Sequence, residues 1–481
     1  HSRIRGIIPS GSSGFKELLV HLTRKSELMK YHFIAIGGSA MHNLAIALKI
    51  RGHAVTGSDD EIFEPSRSRL VKHGLLPEKQ GWFPEKVHPG LDGIILGMHA
   101  RKDNPELIRA TEHGIRIYSF PEFIYEQTKG KKRVVIGGSH GKTTITSMII
   151  HVLQHAGVET DYLVGAQLEG FEVMVRLSDT AKIAVLEGDE YLTSALDRRP
   201  KFHVYMPDIA LISGIAWDHI NVFPAFENYV EQFEIFTRRI SEGGCLIWFE
   251  GDTEVKRVAE NAPVGLMKMP YGVHPCFVKE GTTFLKTESG NVPVRIFGEH
   301  NMANLNGARY VCRALGINDE TFYKAIRIFS GASGRLELMD FSKDVSVFRD
   351  FAHAPSKLKA TVKAVRDQHP GRELVACMEL HTYSSLSAHF LEHYRGSMEG
   401  VDFPVVYYNP HALEIKKLPP ISGEDIKNAF GESDLKVFSD SSELLGYLRS
   451  MVWKNRNLLM MSSGDFDGID MQALGREVAG G

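Results

Sequence analysis

The stretch that decides the fold of this chain is VVIGGSHGKTTITSMII, residues 134–150. A short apolar run typical of a buried strand leads into the turn GGSHG, and a pattern typical of an amphipathic helix follows. Glycines allow successive backbone N–H groups to face a phosphate, and the dipole at the start of a helix favours the same negative charge. The segment therefore predicts a phosphate-binding loop, and an ordinary glycine-rich turn is the alternative interpretation.

Two side chains of this loop carry specific chemistry. Lys142 can reach the β- and γ-phosphate oxygens of a nucleoside triphosphate, and Thr143 can ligate magnesium. The loop departs from the usual G-x-x-x-x-G-K-[ST] pattern because Ile136 occupies the position of the first glycine. The candidate ATP-binding residues of the loop are Gly138, Ser139, His140, Gly141, Lys142, Thr143 and Thr144.

Acidic residues and a histidine follow two further strand signals. The run IAVLE ends in the cluster at 187–190 (EGDE), and the run IALIS leads to Asp218 and His219. A magnesium ion that bridges β- and γ-phosphates takes more than one protein oxygen, so Glu187 is the candidate partner of Thr143. His219 is a candidate ligand of a second metal or a group that orients the phosphoryl group. The alternatives are a solvated acidic loop and a hydrogen-bonded structural histidine.

A second glycine-rich turn lies near the start of the chain. Residues 37–41 (GGSAM) follow an apolar strand signal and enter a helix pattern, and an acid ends the next strand signal. This arrangement is typical of a turn that holds a dinucleotide or another nucleoside diphosphate, with the acid near a ribose. Because Ala40 replaces the third glycine, NAD is one of several nucleotides that fit, and a dehydrogenase is an alternative. The candidate residues are Gly37, Gly38, Ser39, Ala40, Met41, Ser58 and Asp59.

Strand signals alternate with helix-length amphipathic segments along the chain. Continuous apolar strands followed by helices indicate parallel sheets covered on both faces, so the predicted fold is α/β. The length of 481 residues suggests about three domains. A charged stretch at 130–133 and the segment SGASGR at 330–335 predict domains at 29–130, 131–331 and 332–481, after an extension at 1–28. The clearest strands are predicted at 31–36, 134–137, 183–187, 209–213, 345–348, 374–379 and 458–462.

Composition excludes several classes of protein. With 59 acidic and 56 basic residues the net charge is −3, which argues against nucleic acid or an anionic membrane surface as a partner. The four cysteines have no paired spacing, so buried free thiols are expected rather than disulfides or a zinc site. No apolar run approaches the ~20 residues of a membrane span, and residues 1–28 lack the apolar core of a secretory signal. A cytoplasmic protein is predicted.

Together these motifs resemble the Mur ligase family, the ATP-dependent amide-forming enzymes of peptidoglycan synthesis. The resemblance runs from Met29 to the C-terminus. The family's G-T-x-G-K-T loop matches residues 138–143, its E-A-D-E cluster matches 187–190, its D-H pair matches 218–219, and its G-x-H-N-x-x-N segment matches 298–304. The resemblance implies a Rossmann-like N-terminal domain, a central P-loop ATPase domain and a Rossmann-like C-terminal domain.

The resemblance also implies roles for single residues. Mg²⁺ would be held by Thr143, Glu187 and His219, with Glu190 as a further candidate for a second metal. Asn301 would contact adenine, and Asp350 would lie near the ribose of ATP. The residues implied as catalytic are Lys142, Glu187, His219 and Arg335.

The N-terminal turn resembles that of the branch of the family that acts on UDP-N-acetylmuramate directly. This branch forms an acyl phosphate with ATP and joins the sugar's carboxyl group to an amine. Three segments, at 197–202, 218–223 and 462–469, resemble the enzymes whose acceptor is the tripeptide L-alanyl-γ-D-glutamyl-meso-diaminopimelate. L-alanine is the alternative acceptor, and a sensor that binds UDP-sugar and ATP without catalysis is a third possibility.

The acceptor side of the predicted site departs from the family pattern. The family's D-F-A-H-H-P motif reads DFAHAP at 350–355, and its E-P-R loop reads ELH at 379–381, so a histidine replaces an arginine. The candidate acceptor-binding residues are His353, His381 and Ser463.

Overall fold

The computed structural model describes residues 28–98, 100–165, 171–194 and 196–480. Of the predicted extension at 1–28, all but Leu28 lies outside the described residues. Within these ranges the chain forms three parallel or mostly parallel sheets, one after another along the sequence, and a small antiparallel sheet. The predicted α/β class is confirmed.

The N-terminal region contains a four-stranded sheet in the order β2-β1-β3-β4, in which every pair is parallel. Helices connect successive strands, as parallel pairing requires. The strands are β1 (Lys30–Ile34), β2 (Ala54–Ser58), β3 (Gly93–Leu96) and β4 (Ile117–Ser119); the helices are α1 (Ser39–Ile50), α2 (Ser66–Lys72), α3 (Pro105–Glu112) and α4 (Phe120–Thr128).

The central region contains a seven-stranded sheet in the order β11-β10-β9-β5-β8-β6-β7, which is parallel except for the edge pair β6–β7. The strands are β5 (Lys132–Gly137), β6 (Thr160–Leu163), β7 (Val175–Arg176), β8 (Ile183–Glu187), β9 (Ile209–Ile212), β10 (Cys245–Phe249) and β11 (Met267–Tyr271). The helices are α5 (Lys142–His155), α6 (Phe226–Thr237), α7 (Thr253–Glu260), α8 (Glu299–Ala314) and α9 (Asp319–Ile326).

A three-stranded antiparallel sheet follows the central sheet, and the sequence analysis did not predict it. It is formed by β12 (Cys276–Lys279), β13 (Thr282–Thr287) and β14 (Gly290–Val294). The first turn is Glu280-Gly281, and both residues have positive φ, 50° and 72°. This is the backbone that a two-residue hairpin needs, so the signal was present in the dipeptide rather than in the apolar pattern.

The C-terminal region contains a six-stranded sheet in the order β15-β16-β20-β17-β18-β19, parallel except for β15, which pairs antiparallel with β16. The strands are β15 (Glu337–Phe341), β16 (Ser346–Asp350), β17 (Glu373–Leu380), β18 (Phe403–Tyr408), β19 (Lys436–Phe438) and β20 (Arg456–Met461). The helices are α10 (Pro355–Gln368), α11 (Ala388–Leu391), α12 (Pro410–Ile415), α13 (Gly423–Phe430), α14 (Ser441–Ser450) and α15 (Met471–Gly480).

All seven strands predicted from the sequence are present with small shifts at their ends. Their residues are almost all buried, as expected for strands covered on both faces. The domain boundaries at 130/131 and 331/332 stay predictions. The four cysteines are free thiols, and three of them are buried, while Cys276 is partly exposed. Among the described residues no helix has the length and apolar character to cross a membrane.

Candidate active site

The carboxyl ends of β5, β8 and β9 lie side by side in the central sheet, and the predicted motifs follow these three strands. A cavity of about 890 Å³ opens above them. Its walls come from all three regions: the N-terminal turn, the loops of the central sheet, and the start of the C-terminal region. Ligands of α/β proteins bind at this edge of the sheet.

The loop after β5 has the backbone of a phosphate-binding loop. Gly138 and Gly141 have φ of 133° and 77°, and Gly141 caps the first turn of α5. A Cβ atom on Gly141 would lie 2.2 Å from Oδ1 of Asn304 on α8, so the loop is packed too closely for a side chain. Ser139 secures the loop, because its N–H donates to the Gly214 carbonyl at 2.9 Å. The predicted strand, loop and helix are confirmed.

Lys142 is held by partners at the mouth of the loop. Its Nζ donates to the Gly138 carbonyl and to Oε2 of Glu190, each at 2.6 Å. Burial alone would lower the pKa of Lys142, but the nearby carboxylates of Glu190 and Asp189 raise it above its ordinary value. Lys142 is therefore fully charged at neutral pH, and its ammonium group lies among carboxylates that a phosphate would have to displace.

Thr143 and Glu187 meet as the sequence analysis predicts. The Thr143 hydroxyl donates to Oε1 of Glu187 at 2.8 Å, and Oε2 of Glu187 accepts from the Gly165 N–H at 2.6 Å. Burial raises the pKa of Glu187 above its ordinary value. In the described part of the chain no three His, Cys, Asp or Glu side chains form a group that could hold a metal alone. The hydroxyl and carboxylate oxygens are hard ligands that suit a magnesium ion whose remaining ligands are phosphate and water.

His219 lies beside the acidic cluster. Its Nε2 is 3.7 Å from Oε1 of Glu190, and its backbone, with φ of 55°, is in the left-handed region. Its own N–H donates to Oδ1 of Asp218 at 2.8 Å. Burial alone would lower the pKa of His219, but the Glu190 and Asp218 carboxylates raise it above its ordinary value. The Tyr229 hydroxyl donates to Glu190 at 3.1 Å, so Glu190 connects the histidine, the tyrosine and Lys142.

Three further predicted residues line the same cavity, Asn301 on α8 of the central region and two others at the start of the C-terminal region. The Arg335 guanidinium lies 4.1 Å from the centre of the Phe351 ring. Asp350 accepts from the N–H of Leu336 at 2.6 Å and of Ala352 at 2.7 Å. The Asn301 amide donates to the Phe297 carbonyl at 2.9 Å. Their contacts with a nucleotide stay predictions.

The N-terminal turn meets the cavity through only part of its predicted set. Ser39 and Ala40 line the cavity, and Asn43 on α1 joins them. Gly37, Gly38, Met41, Ser58 and Asp59 are not among its lining residues. Instead, Oδ2 of Asp59 accepts from the Gly37 N–H at 2.6 Å, and burial raises the pKa of Asp59 to about 6. Asp59 therefore holds the turn in shape.

The predicted acceptor residues are divided between two places. His353 lines the cavity, and burial together with Lys357 lowers its pKa to about 3. His381 and Ser463 are not among the lining residues. Nδ1 of His381 lies 3.5 Å from Oε1 of the buried Glu379 at the end of β17, and the Ser463 hydroxyl is buried with no partner among the described residues.

The polar residues that line the cavity and that the sequence analysis missed include Lys357, Lys201 and Tyr205. Lys201 pairs with Asp189 at 2.6 Å, and the Tyr205 hydroxyl is fully buried without a partner in the described residues. Lys201 lies in the segment 197–202, which the sequence analysis quoted only because it resembles the enzymes whose acceptor is the tripeptide. No spacing signal marks Lys357 or Tyr205, since only packing brings them to the cavity.

Three family models match the chain in succession. The Mur ligase family catalytic domain matches residues 30–132, the Mur ligase middle domain matches 136–312, and the Mur ligase glutamate ligase domain matches 334–464. Together the three models cover most of the described chain and the motifs described above. The end of the chain beyond residue 464 is not matched.

Similar curated proteins are named UDP-N-acetylmuramate–L-alanine ligases. The one from Limosilactobacillus reuteri is 29% identical over 91% of this chain and 96% of its own length. The one from Aquifex aeolicus is 26% identical over 86% of this chain and 95% of its own length.

Two solved structures share the fold over nearly the whole chain. A murein peptide ligase from Psychrobacter arcticus superimposes with a TM-score of 0.64 at 23% identity, covering 94% of this chain and 99% of its own. A UDP-N-acetylmuramate-alanine ligase from Thermotoga maritima gives 0.68 at 18% identity, covering 94% and 98%.

Proposed function

Because the chain belongs to the Mur ligase family and is therefore an ATP-dependent acid–amino acid ligase, we propose that it joins the carboxyl group of UDP-N-acetylmuramate to the amine of an amino acid or peptide. One observation carries the proposal. A phosphate loop with Lys142, a Thr143–Glu187 pair, Arg335 from the C-terminal region and the N-terminal turn all border one cavity. A module that only sensed nucleotides would have no need to bring them together.

The first step makes the carboxyl carbon electrophilic. A carboxylate oxygen of the sugar attacks the γ-phosphorus of ATP, the new O–P bond forms, and the bond to the β–γ bridging oxygen breaks, so ADP leaves with the electron pair. Little acid–base chemistry is required, and charge neutralisation dominates. Lys142 would neutralise the β and γ oxygens, and Arg335 would neutralise the group in transfer.

Magnesium would be held by Thr143 and Glu187, with His219 and Glu190 placed for a second ion. When bound, such an ion neutralises phosphate charge and orients the oxygens. The partly buried pair of Thr143 and Glu187 lines the cavity, and its two oxygens are 2.8 Å apart.

The second step forms the amide. The acceptor nitrogen attacks the acyl carbon, the C–N bond forms, and the C–O bond to the phosphate breaks, so inorganic phosphate leaves with the electron pair. The amine loses one proton to solvent or to a nearby base. Water must be kept out, since it would hydrolyse the acyl phosphate, and closure of the C-terminal region over the cavity would provide that shield.

L-alanine is the acceptor that the similar curated proteins support. The tripeptide L-alanyl-γ-D-glutamyl-meso-diaminopimelate, which the sequence analysis favours, is the second candidate. It rests on the three segments quoted above, one of which carries Lys201 into the cavity. At the position of His381 the family pattern has an arginine, so this chain lacks a fixed positive charge that the resemblance places near the acceptor.

The test is the release of ADP from the purified protein with magnesium and UDP-N-acetylmuramate, in the presence of L-alanine, of the tripeptide, or of neither. UDP-N-acetylglucosamine, which lacks the carboxyl group, is the matched donor control. We expect turnover that needs UDP-N-acetylmuramate and is stimulated by L-alanine. If only the tripeptide stimulates turnover, the tripeptide rather than L-alanine is the acceptor. If neither acceptor raises turnover above that of the donor control, the ligase proposal is refuted.

A further inference from the structure

Lys357 is a partly buried cation of the cavity to which neither the motifs nor the proposed steps assign a role. It lies on the first turn of α10, two residues after Pro355. Its Nζ is 3.4 Å from Oδ2 of Asp218, in the loop after β9, and its side chain is only 21% exposed. This ion pair links the C-terminal region to the central region across the cavity.

The charged groups around Lys357 are mixed in sign. Asp218 and Glu190 are its acidic neighbours, while Lys142 and Arg335 face it as like charges. Burial and these two cations lower the pKa of Lys357, although Asp218 opposes them. The imidazoles of His140 and His353 are kept neutral, because burial and the Lys357 charge lower their pKa values to about 4 and about 3.

Three cations on different elements therefore converge: Lys142 on α5, Arg335 before β15 and Lys357 on α10. Two of the neighbouring carboxylates are already paired, Glu190 with Lys142 and Asp218 with Lys357. Like charges at close range in a cavity are costly unless an anion lies between them. The cluster is suited to a ligand with concentrated negative charge.

We propose that Lys357 binds the phosphoryl group while it moves from ATP to the sugar carboxylate, as a second cation contributed by the C-terminal region beside Arg335. The inference rests on the proposed ligase function and adds a catalytic residue to it. Lys357 contributes charge only and keeps its protons, so the bonds made and broken are those of the first step. Asp218 holds the lysine until the phosphoryl group attracts it.

Position favours the phosphoryl group over the acceptor as the partner of Lys357. Besides its partner Asp218, the charges that act on Lys357 are those of Lys142 in the phosphate loop, of Glu190 and of Arg335. Of the three candidate acceptor residues, His381 and Ser463 are not among the residues that line this cavity, and His353, which does line it, is kept neutral beside Lys357. An ammonium group is a compact point charge that suits a phosphate oxygen in transit, whereas a planar guanidinium suits two oxygens at once.

The test uses the full chain with Lys357→Met, which keeps the length of the side chain and removes the charge, and Lys357→Arg, which restores the charge. Lys427→Met removes a lysine from the exposed salt bridge with Glu424 on α13 and is the matched control. Cleavage of labelled ATP is followed in a single turnover with UDP-N-acetylmuramate and no acceptor. Binding of ADP, alone and with aluminium fluoride as a mimic of the moving phosphoryl group, is measured by calorimetry.

We expect Lys357→Met to slow ATP cleavage by about 100-fold or more, as for other charged groups that act on the transition state. ADP affinity should change less than about threefold, since ADP lacks the γ-phosphate, whereas the added affinity from aluminium fluoride should be lost. Lys357→Arg should recover part of the rate, and Lys427→Met should behave as the wild type.

Two results would overturn the inference. One is normal ATP cleavage in Lys357→Met with a raised KM for the acceptor, which would place the lysine at the acceptor. The other is equal loss of affinity for ADP with and without aluminium fluoride, which would make its role one of general nucleotide binding or structure. If the wild type itself cleaves no ATP with UDP-N-acetylmuramate, the proposed function fails instead, and the calorimetric comparison still tests the lysine.

Discussion

Charged residues at the cavity form pairs of opposite sign. Lys142 pairs with Glu190, Lys201 with Asp189 and Lys357 with Asp218, each at hydrogen-bonding or salt-bridge distance. A buried carboxylate or ammonium without a partner would be strongly unfavourable, so these pairs keep the site stable without substrate. Binding of a triphosphate then exchanges partners rather than creating charges, which suits a protein with a net charge of only −3.

Replacement of Lys142 tests the separation of the two nucleotide sites. We expect Lys142→Ala to lower the rate of ADP release by about 100-fold or more, because the positive charge that neutralises the β and γ oxygens is lost. The affinity for UDP-N-acetylmuramate, measured by calorimetry, should stay within about twofold, because the N-terminal turn does not contact Lys142. If Lys142→Ala lost both ADP release and affinity for UDP-N-acetylmuramate, the two nucleotide sites would not be separate.

Replacement of Asp59 tests its role in the N-terminal turn. With its pKa raised to about 6, the folded protein binds more protons than the unfolded chain between about pH 4 and 6, so stability falls as pH rises through this window and stays lower above it. Asp59→Asn keeps an acceptor for the Gly37 N–H and removes the charge. Its free energy of unfolding at pH 8 should therefore rise by roughly 1 to 3 kcal/mol.

The measurement is urea unfolding of both proteins from pH 4 to 8. Below about pH 4 the two curves should meet, because Asp59 is then protonated in the folded state. The same dependence on pH in wild type and Asp59→Asn would show that another group is responsible. Asp103→Asn, an exposed acid elsewhere in the N-terminal region, is the matched control for the loss of a surface charge.

At the scale of elements, strand ends and helix starts build the site. The strands β5, β8 and β9 end at the same edge, so the loop glycines, Glu187 and the segment toward His219 meet there. Asp252, at the start of α7, holds this last segment. One oxygen caps the helix through the N–H groups of Glu254 and Val255, and the other accepts from the Ile215 N–H at 2.9 Å.

Asp252→Ala should therefore lower the free energy of unfolding by more than the loss of a helix cap alone would. We expect the free energy of unfolding to fall by roughly 2 kcal/mol or more, from the cap and from the unpaired Ile215 N–H. Asp440→Ala, which removes only the cap of α14, should cost about 1 kcal/mol. Urea unfolding measures the stability of both variants, and the rate of ADP release measures their turnover. Only Asp252→Ala should also slow turnover. Equal effects of the two variants would argue against the second contact.

At the scale of the whole molecule, three regions must keep their orientation for the cavity to exist. Besides the Asp218–Lys357 pair, Gln368 at the end of α10 connects the C-terminal region to the small antiparallel sheet. Its amide oxygen accepts from the Thr283 hydroxyl at 3.1 Å, and its amide nitrogen donates to the Gly281 carbonyl at 2.6 Å. Gln368 and Thr283 are both buried, so the hairpin serves as a support for α10.

Gln368→Ala tests this support. Leaving Thr283 and Gly281 unpaired should lower the free energy of unfolding by about 1 to 3 kcal/mol. Because α10 carries Lys357, the KM for ATP or the rate of ATP cleavage should worsen several-fold, while binding of UDP-N-acetylmuramate should not change. Gln232→Ala removes an exposed bond within α6 and is the control. An effect on stability alone would mean that the hairpin does not influence the site.

Much of the fold could be predicted because its strands are buried on both faces and carry continuous apolar runs. The phosphate loop could be predicted because its function requires a local sequence, and Glu187 could be predicted because parallel strands end at one edge. The small antiparallel sheet was missed, since its strands are short and partly exposed and only the Glu280-Gly281 turn marks them. Several further strands were not among the seven predicted ones, including the short edge strand β7 and the partly exposed edge strand β15.

The sequence by itself therefore determined the α/β class, the loop with Lys142 and Thr143, and the succession of nucleotide motifs, because these depend on residues close together in the chain. Only the tertiary structure decided which distant groups share the cavity. It brought Lys357 within 3.4 Å of Asp218 across 139 residues, and it left His381 and Ser463 off the cavity wall. Such encounters depend on how α10 packs against α8 of the central region, and no local pattern records that packing.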